Sequence, residues 1–193
     1  MAKATSDIMV TVLGSGTCVP SLARGSCSVL VETGGRKWLI DSGAGTLRRL
    51  LEAGTTIAEL SCLFYSHLHP DHTADLVPLL FATKYPDGVT RSEELTIVAG
   101  QGFADFFQRL KNVYGHWIEI GDDMLRIIEM NTGGRDHVRL AGIDIHTAPV
   151  EHSPQSIAFR ITSPAGRHLV YSGDTDMSES LVELARGADL LIC

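Results

Sequence analysis

The amino-acid sequence predicts a layered α/β domain in which β-sheets pack together and helices cover the outside. Three observations support this prediction. The chain has 193 residues, enough for one domain with a substantial core. Its β-type runs come in groups, with helical stretches between and after them. No internal repeat, low-complexity tract or linker divides the sequence, so we expect a single domain over residues 1–193.

The chain begins with short apolar runs separated by glycine-rich turns. These runs predict three strands: Met9–Leu13, Ser28–Val31 and Trp38–Ile40. Leucines at helical spacing then predict a helix from Thr46 to Ala53, and Gly54 stands where a C-terminal glycine belongs. A buried strand, Cys62–Tyr65, follows and leads directly into a cluster of histidines.

The rest of the chain continues the alternation. A helix is predicted from Thr73 to Lys84, with Pro78 delaying or bending its start. Period-2 and helical patterns then predict strand Leu95–Val98, helix Phe103–Val113, strands Leu125–Ile128, Ile143–Ala148, Ile157–Ile161 and His168–Tyr171, helix Ser178–Arg186 and strand Asp189–Ile192.

Composition and charge exclude several classes of protein. The sequence is 44% hydrophobic and 20% charged, as is usual for a globular domain. A formal net charge of −7 argues against an extended nucleic-acid surface. The first residues contain no apolar run of the signal-peptide type, and no stretch is long enough to span a membrane. The four cysteines form no C-x-x-C pair, so we expect reduced thiols in a cytoplasmic protein.

The run His67-Leu68-His69-Pro70-Asp71-His72 carries the strongest chemical signal. In extended chain, His67 and His69 point the same way and converge on one ion. Pro70 redirects the chain, so Asp71 and His72 fall at a loop-to-helix junction and reach a second ion beside the first. This ligand set suits zinc and tolerates manganese or iron. The alternative is a histidine-rich surface loop, but four potential ligands directly after an apolar strand favour a metal site.

Two further candidates lie downstream at strand ends, where a rigid scaffold presents ligands on loops. His152 precedes a predicted strand, and Asp174 follows one. A carboxylate such as Asp174 can bridge two cations, whereas a neutral imidazole cannot. Each residue alone has a simpler interpretation, a structural histidine for His152 and a turn aspartate for Asp174. Together with the histidine cluster, both become candidate ligands.

The pattern His67-x-His69-x-Asp71-His72 resembles the signature of the metallo-β-lactamase superfamily. The similarity spans nearly the whole chain and is greatest to the ribonuclease Z-like and phosphodiesterase-like branch. It implies an αββα sandwich, which we expect to lack its C-terminal portion here. Four further segments carry the resemblance: Thr11–Thr17, Ile40–Thr46, His152–Ser156 and Ser172–Thr175.

The resemblance also implies roles for the individual residues. One divalent ion would be held by His67, His69 and His152. A second would be held by Asp71 and His72, with Asp174 bridging both ions. Asp41 would orient a metal-bound histidine, its simpler interpretation being a turn aspartate. A metal-activated hydroxide would then attack phosphorus or a carbonyl carbon. Asp71 and Asp174 are the predicted catalytic carboxylates, and Asp71 would assist the proton movements of the nucleophile.

The sequence departs from the family pattern at its end. Family members usually supply one more histidine, a ligand of the second metal, after the last strand present here. The chain stops at Cys193, and its other histidines do not occupy the expected late motif. We therefore expect a C-terminally truncated domain or a site completed by another segment or chain. A final edge strand would leave core uncovered, which makes a homodimer one of the expectations.

A second departure bears on the substrate. Transfer-RNA-processing relatives carry a long arm between the positions of His152 and Asp174, and here that interval holds about a strand and a turn. Ala44 also stands where ribonuclease Z sequences tend to have glutamate. The leading hypothesis is a phosphodiesterase acting on a small or cyclic phosphodiester. The alternatives are trimming of RNA 3′ ends, hydrolysis of an ester, lactone, thioester or sulfate ester, and a catalytically silent module with an incomplete site.

Overall fold

A computed structural model describes residues 7–121 and 123–193. Residues 1–6, on which the signal-peptide expectation rests, lie outside the described residues. Across the described ranges, no helix combines the length and the apolar character that crossing a membrane requires.

The first sheet contains six strands, which lie side by side in chain order: β1 (Ile8–Gly14), β2 (Ser28–Thr33), β3 (Arg36–Ile40), β4 (Leu60–Tyr65), β5 (Leu95–Gly100) and β6 (Leu125–Met130). The strands β1 to β3 pair antiparallel. From β3 to β6 the pairing is parallel, so each connection there must cross over the sheet and contains helical residues.

The second sheet contains five strands: β7 (Asp136–Leu140), β8 (Ile143–Pro149), β9 (Ile157–Thr162), β10 (His168–Tyr171) and β11 (Leu190–Ile192). Its spatial order is β11-β10-β9-β8-β7. Neighbouring strands from β7 to β10 pair antiparallel, and β11 pairs parallel with β10. A tight hairpin therefore connects β9 to β10.

Helices cover the outer faces of both sheets. They are α1 (Thr46–Glu52), α2 (Pro70–Thr73), α3 (Leu76–Lys84), α4 (Phe103–Tyr114) and α5 (Glu179–Ala185), with short 3₁₀ helices at Ile57–Glu59 and Gly115–Ile118. Buried side chains of α1, α3 and α4 pack on the first sheet. Leu181 and Leu184 of α5 pack against Ala148, Ala158 and Val170 of the second sheet.

Strand β4 shows how the layers form. Leu63 and Tyr65 point to the helices, whereas Cys62 and Phe64 point to the second sheet, as the alternation of a strand requires. The ring of Phe64 lies between Trp38 and Phe159, with centroid distances of 5.4 and 5.3 Å. The structure therefore has four layers: the helices α1, α3 and α4, the first sheet, the second sheet, and helix α5. This arrangement confirms the predicted αββα sandwich.

Most predicted elements are confirmed within one or two residues, but one helix begins later than predicted and two elements were missed. The helix predicted from Thr73 to Lys84 is α3, which begins at Leu76, and a separate short helix that was not predicted, α2, precedes it with Pro70 at its first position. Strand β7 was not predicted. It contributes only Val138 and Leu140 to the core and alternates them with charged or polar residues, as an edge strand does.

The packing between the sheets leads to a stability prediction. Replacing Phe64, which is fully buried, by alanine should lower the free energy of unfolding by about 3–5 kcal/mol, because a cavity remains between Trp38 and Phe159. Urea denaturation measures this loss. The control is Val113→Ala in α4, at a side chain that is 76% exposed, where we expect a change within about 0.5 kcal/mol. Equal effects of the two substitutions would contradict the assigned inter-sheet core.

Candidate metal centre

Three histidines converge at one edge of the sandwich. His67 and His69 follow the end of β4, and His152 follows the end of β8 in the other sheet. His67 Nε2 lies 3.1 Å from His69 Nδ1, which in turn lies 3.0 Å from His152 Nε2. The ligand atoms of all three lie within 4.8 Å of one another. The two sheets thus bring together residues 83 positions apart in the chain.

This donor set fits a divalent metal ion. Two nitrogens on one tetrahedral zinc ion lie about 3.3 Å apart, since each Zn–N bond is about 2.0 Å long. Burial, together with the neighbouring His72, lowers the pKa of His67 to about 4, which favours the neutral imidazole that binds metals. The identity of these residues as metal ligands stays a prediction, as does the number of ions.

A second group lies beside the first and shares His67 with it. His72, in the first turn of α2, has its Nε2 atom 3.4 Å from Asp174 Oδ1 and 3.8 Å from Asp71 Oδ2. Asp174 Oδ2 lies 4.0 Å from His152 Nε2. The Asp174 carboxylate therefore stands between the two histidine groups, which is the place that a bridging ligand requires.

Asp41 supports both ligand groups through hydrogen bonds. It directly follows β3, and its buried carboxylate accepts four hydrogen bonds. Oδ1 accepts from the Ser66 backbone N–H at 2.8 Å. Oδ2 accepts from Ser66 Oγ at 2.8 Å, Tyr171 hydroxyl at 2.7 Å and His72 Nδ1 at 2.7 Å.

These hydrogen bonds orient the imidazole rings. A carboxylate is an acceptor only, so the proton of His72 lies on Nδ1 and Nε2 faces Asp174. Burial alone would lower the pKa of His72, but the hydrogen bond with Asp41 and the nearby carboxylates raise it. Ser66 Oγ gives its proton to Asp41 and accepts one from His67 Nδ1 at 3.1 Å, which leaves His67 Nε2 free for a ligand.

The backbone of Asp41 is held as firmly as its side chain. Its φ of 54° lies in the left-handed region, which is uncommon for a residue other than glycine. The Asp41 N–H donates to the Phe64 carbonyl at 2.8 Å, and its carbonyl accepts from Ser28 Oγ at 2.9 Å. Surrounding strands therefore fix a strained conformation, as is typical of functional sites.

Gly173 brings the second sheet close to the first. Its φ is 62°, and a Cβ atom at this position would lie only 2.5 Å from Ser66 Cβ and 2.6 Å from Ser66 Oγ. Only glycine allows this approach. Because Asp174 is the next residue, the contact sets where its carboxylate lies relative to His72.

The structure brings all the sequence-predicted residues to this one edge: His67, His69, Asp71, His72, His152, Asp174 and the supporting Asp41. Within the described ranges, the remaining histidines join neither ligand group. Sequence reasoning missed Ser66 and Tyr171 as partners of Asp41. The available signal was a tyrosine at the end of a buried strand, since a buried hydroxyl usually needs a hydrogen-bond partner.

Comparisons with known proteins agree with this geometry. A family model described as anti-Pycsar protein Apyc1 matches residues 8–192. Ribonuclease Z of Mycobacterium bovis (strain BCG / Pasteur 1173P2) is 32% identical over 194 residues, covering 95% of this chain and 68% of the relative. The chain belongs to the Apyc1 family, among the ribonuclease Z-like proteins of the metallo-β-lactamase superfamily.

Solved structures show the same fold. The metallo-β-lactamase fold protein YhfI from Bacillus subtilis superimposes with a TM-score of 0.77 at 25% identity, covering 96% of this chain and 70% of that protein. The short form of human tRNase Z gives a TM-score of 0.73 at 24% identity, covering 94% and 76% respectively. The metallo-β-lactamase fold is thus confirmed, and so is the resemblance to the ribonuclease Z-like branch.

The close approach at Gly173 is testable. Gly173→Ala should cost about 1–2 kcal/mol for the left-handed conformation and more for the clash with Ser66, and should weaken zinc binding by displacing Asp174. Gly187→Ala is the matched control, since Gly187 has a φ of 69° with nothing within 4 Å of the added Cβ. Urea denaturation and zinc competition with a chelator measure both effects. The same loss of stability and the same zinc affinity in both variants would contradict the role given to the contact.

Proposed function

We propose that this protein is a divalent-metal-dependent phosphodiesterase that acts on a small or cyclic phosphodiester. The convergence of two ligand groups at one edge of the sandwich supports a hydrolytic metal centre. The relatives named ribonuclease Z support phosphorus as the centre attacked, because RNA is a phosphodiester. The observation that carries the choice of a small substrate is the short interval between His152 and Asp174, which contains only β9, β10 and their connections and therefore leaves no room for a long arm.

The proposed ligand assignment follows the observed positions. His67, His69 and His152 would hold one ion, and Asp71 and His72 would hold the other, with Asp174 shared between them. Zinc suits this nitrogen-rich set, and manganese or iron would be tolerated. When bound, the two cations would supply water activation near neutral pH and stabilisation of the negative charge that develops on phosphate.

The protein side chains have separate tasks in this reaction. His72 and His67 are held by Asp41 and Ser66 with their Nε2 atoms facing the centre, so no reorientation is needed during turnover. The Asp71 carboxylate, whose Oδ2 lies 3.8 Å from His72 Nε2, would accept the proton that the attacking water loses. Asp174 is about half exposed, so its carboxylate borders the space open to substrate.

The shape and charge around the centre favour a small substrate. The whole interval between His152 and Asp174 is taken up by β9, β10 and their connections. The turn itself is closed by the Ser163 N–H to Arg167 carbonyl bond at 2.9 Å. Three acidic residues, Glu151, Asp176 and Glu179, line a cavity next to the ligand residues. A long polyanion would be repelled there, whereas a compact substrate with one phosphate would be repelled less.

Activity measurements test this proposal. Zinc-loaded protein should hydrolyse bis(p-nitrophenyl) phosphate and 2′,3′-cyclic nucleotides faster than it cleaves a precursor transfer RNA. His69→Ala should reduce the rate at least about 100-fold because a metal ligand is lost. His137→Ala is the matched control, since His137 is equally an exposed histidine but lies on β7 outside both ligand groups. Efficient cleavage of precursor transfer RNA with no turnover of small phosphodiesters would replace this proposal by RNA 3′-end processing.

Metal content separates an enzyme from a silent module. We expect two tightly held zinc ions per chain by elemental analysis after reconstitution and removal of free metal. Zinc at 100 times its dissociation constant should then stabilise the fold by about 2.7 kcal/mol for each site that is absent from the unfolded chain. Protein that retains no zinc and gains no stability from it would contradict the proposed metal centre.

A further inference from the structure

We infer that Tyr171 is a positioning residue of the metal centre: its hydroxyl fixes Asp41 from the opposite sheet, and Asp41 in turn fixes which ring nitrogens of His72 and His67 face the metal. This inference rests on the metal binding proposed above. Tyr171 itself would touch neither substrate nor metal, because it acts only through Asp41.

The tyrosine hydroxyl contacts Oδ2, the Asp41 carboxylate oxygen that accepts three hydrogen bonds. Tyr171 ends β10 of the second sheet, whereas Asp41 follows β3 of the first. The hydroxyl donates to Oδ2 at 2.7 Å, and the same oxygen accepts from His72 Nδ1 at 2.7 Å and Ser66 Oγ at 2.8 Å. Of these three donors, only Tyr171 comes from the second sheet.

The direction of this hydrogen bond is fixed by its surroundings. Burial and the adjacent Asp41 raise the pKa of Tyr171 well above its usual range, so its hydroxyl keeps the proton that it donates. On its other side, Cys27 Sγ lies 3.4 Å from the tyrosine oxygen. Burial raises the pKa of the Cys27 thiol, which therefore retains a hydrogen that it can donate to that oxygen. Cys27, Tyr171 and Asp41 then form one chain of donors that ends on the carboxylate.

The Tyr171 hydroxyl helps to fix the position of the Asp41 carboxylate. With three donors on Oδ2 and the Ser66 N–H on Oδ1, the carboxylate cannot rotate without breaking a buried hydrogen bond. It therefore holds His72 directly and His67 through Ser66. Asp174 lies three residues after Tyr171, so this anchor adds to the Gly173 contact that places Asp174 3.4 Å from His72. Loss of the hydroxyl should loosen both groups of ligands together.

A second buried tyrosine provides the control. Tyr65 is fully buried, and its hydroxyl makes a hydrogen bond with Ser42 Oγ at 2.7 Å, not with Asp41. Tyr65→Phe and Tyr171→Phe each remove one buried hydroxyl with a 2.7 Å partner and keep the ring in place. A purely structural role for Tyr171 predicts the same behaviour of the two variants.

The test compares the zinc affinities of wild type, Tyr171→Phe and Tyr65→Phe by competition with a chromophoric chelator. We expect zinc to bind about 10-fold more weakly to Tyr171→Phe, the lower end of the loss seen for direct partners of metal ligands, because Tyr171 acts through Asp41. The affinity of Tyr65→Phe should stay within about threefold of wild type. Equal affinities in all three proteins, or the same weakening in both variants, would overturn the inference.

A second measurement uses metal-free protein and does not depend on zinc binding. At a pH where the His72 ring is neutral, nitrogen-15 NMR should show it protonated at Nδ1 in the wild type and in Tyr65→Phe, and as a mixture of tautomers in Tyr171→Phe. An unchanged His72 signal in Tyr171→Phe would overturn the role of the hydroxyl. If wild-type protein does not bind zinc, the proposed function fails, and this experiment still decides whether Tyr171 orients His72.

Discussion

The hydrogen bonds of the buried Asp41 carboxylate hold the histidines of the site in their orientation. A charge placed between two sheets is costly unless every lone pair finds a donor. Here the donors come from the end of β4, from α2 and from β10, so the carboxylate is satisfied only when all three elements are in place. The same hydrogen bonds that lower the cost of burial also set the orientation of His72 and, through Ser66, of His67. Fold and site are therefore specified by one set of contacts.

The layered architecture explains why the ligands meet. The first sheet supplies the residues from His67 to His72 after the end of β4, and the second supplies His152 and Asp174 after β8 and β10. The apolar packing of Phe64 against Trp38 and Phe159 holds the sheets at a constant separation. The proposed metal centre lies across this interface, so the rigid core would hold its ligands in place, as preorganised catalysis requires.

The sequence was most informative where chemistry is dense in a short segment. The segment from His67 to His72 predicted a metal site because four potential ligands follow one apolar strand. The strand and helix periods predicted the layers. The partners of Asp41 could not be predicted in the same way, since Ser66 and Tyr171 reach its carboxylate only after the sheets pack. Strand β7 was also not predicted, because an edge strand with two half-buried apolar side chains lacks a strong period. Substrate choice is equally hidden in the sequence, since it depends on how the loops that carry His152 and Asp174 border the centre.

The most direct test of the proposed metal centre is a crystal structure of zinc-loaded protein with anomalous diffraction data on both sides of the zinc absorption edge. The proposed centre predicts one anomalous peak bound by His67 Nε2, His69 Nδ1 and His152 Nε2, and a second beside His72 Nε2, Asp71 and Asp174, with His72 Nδ1 still hydrogen-bonded to Asp41. Zinc bound elsewhere, or a His72 ring turned so that Nδ1 faces the metal, would contradict it.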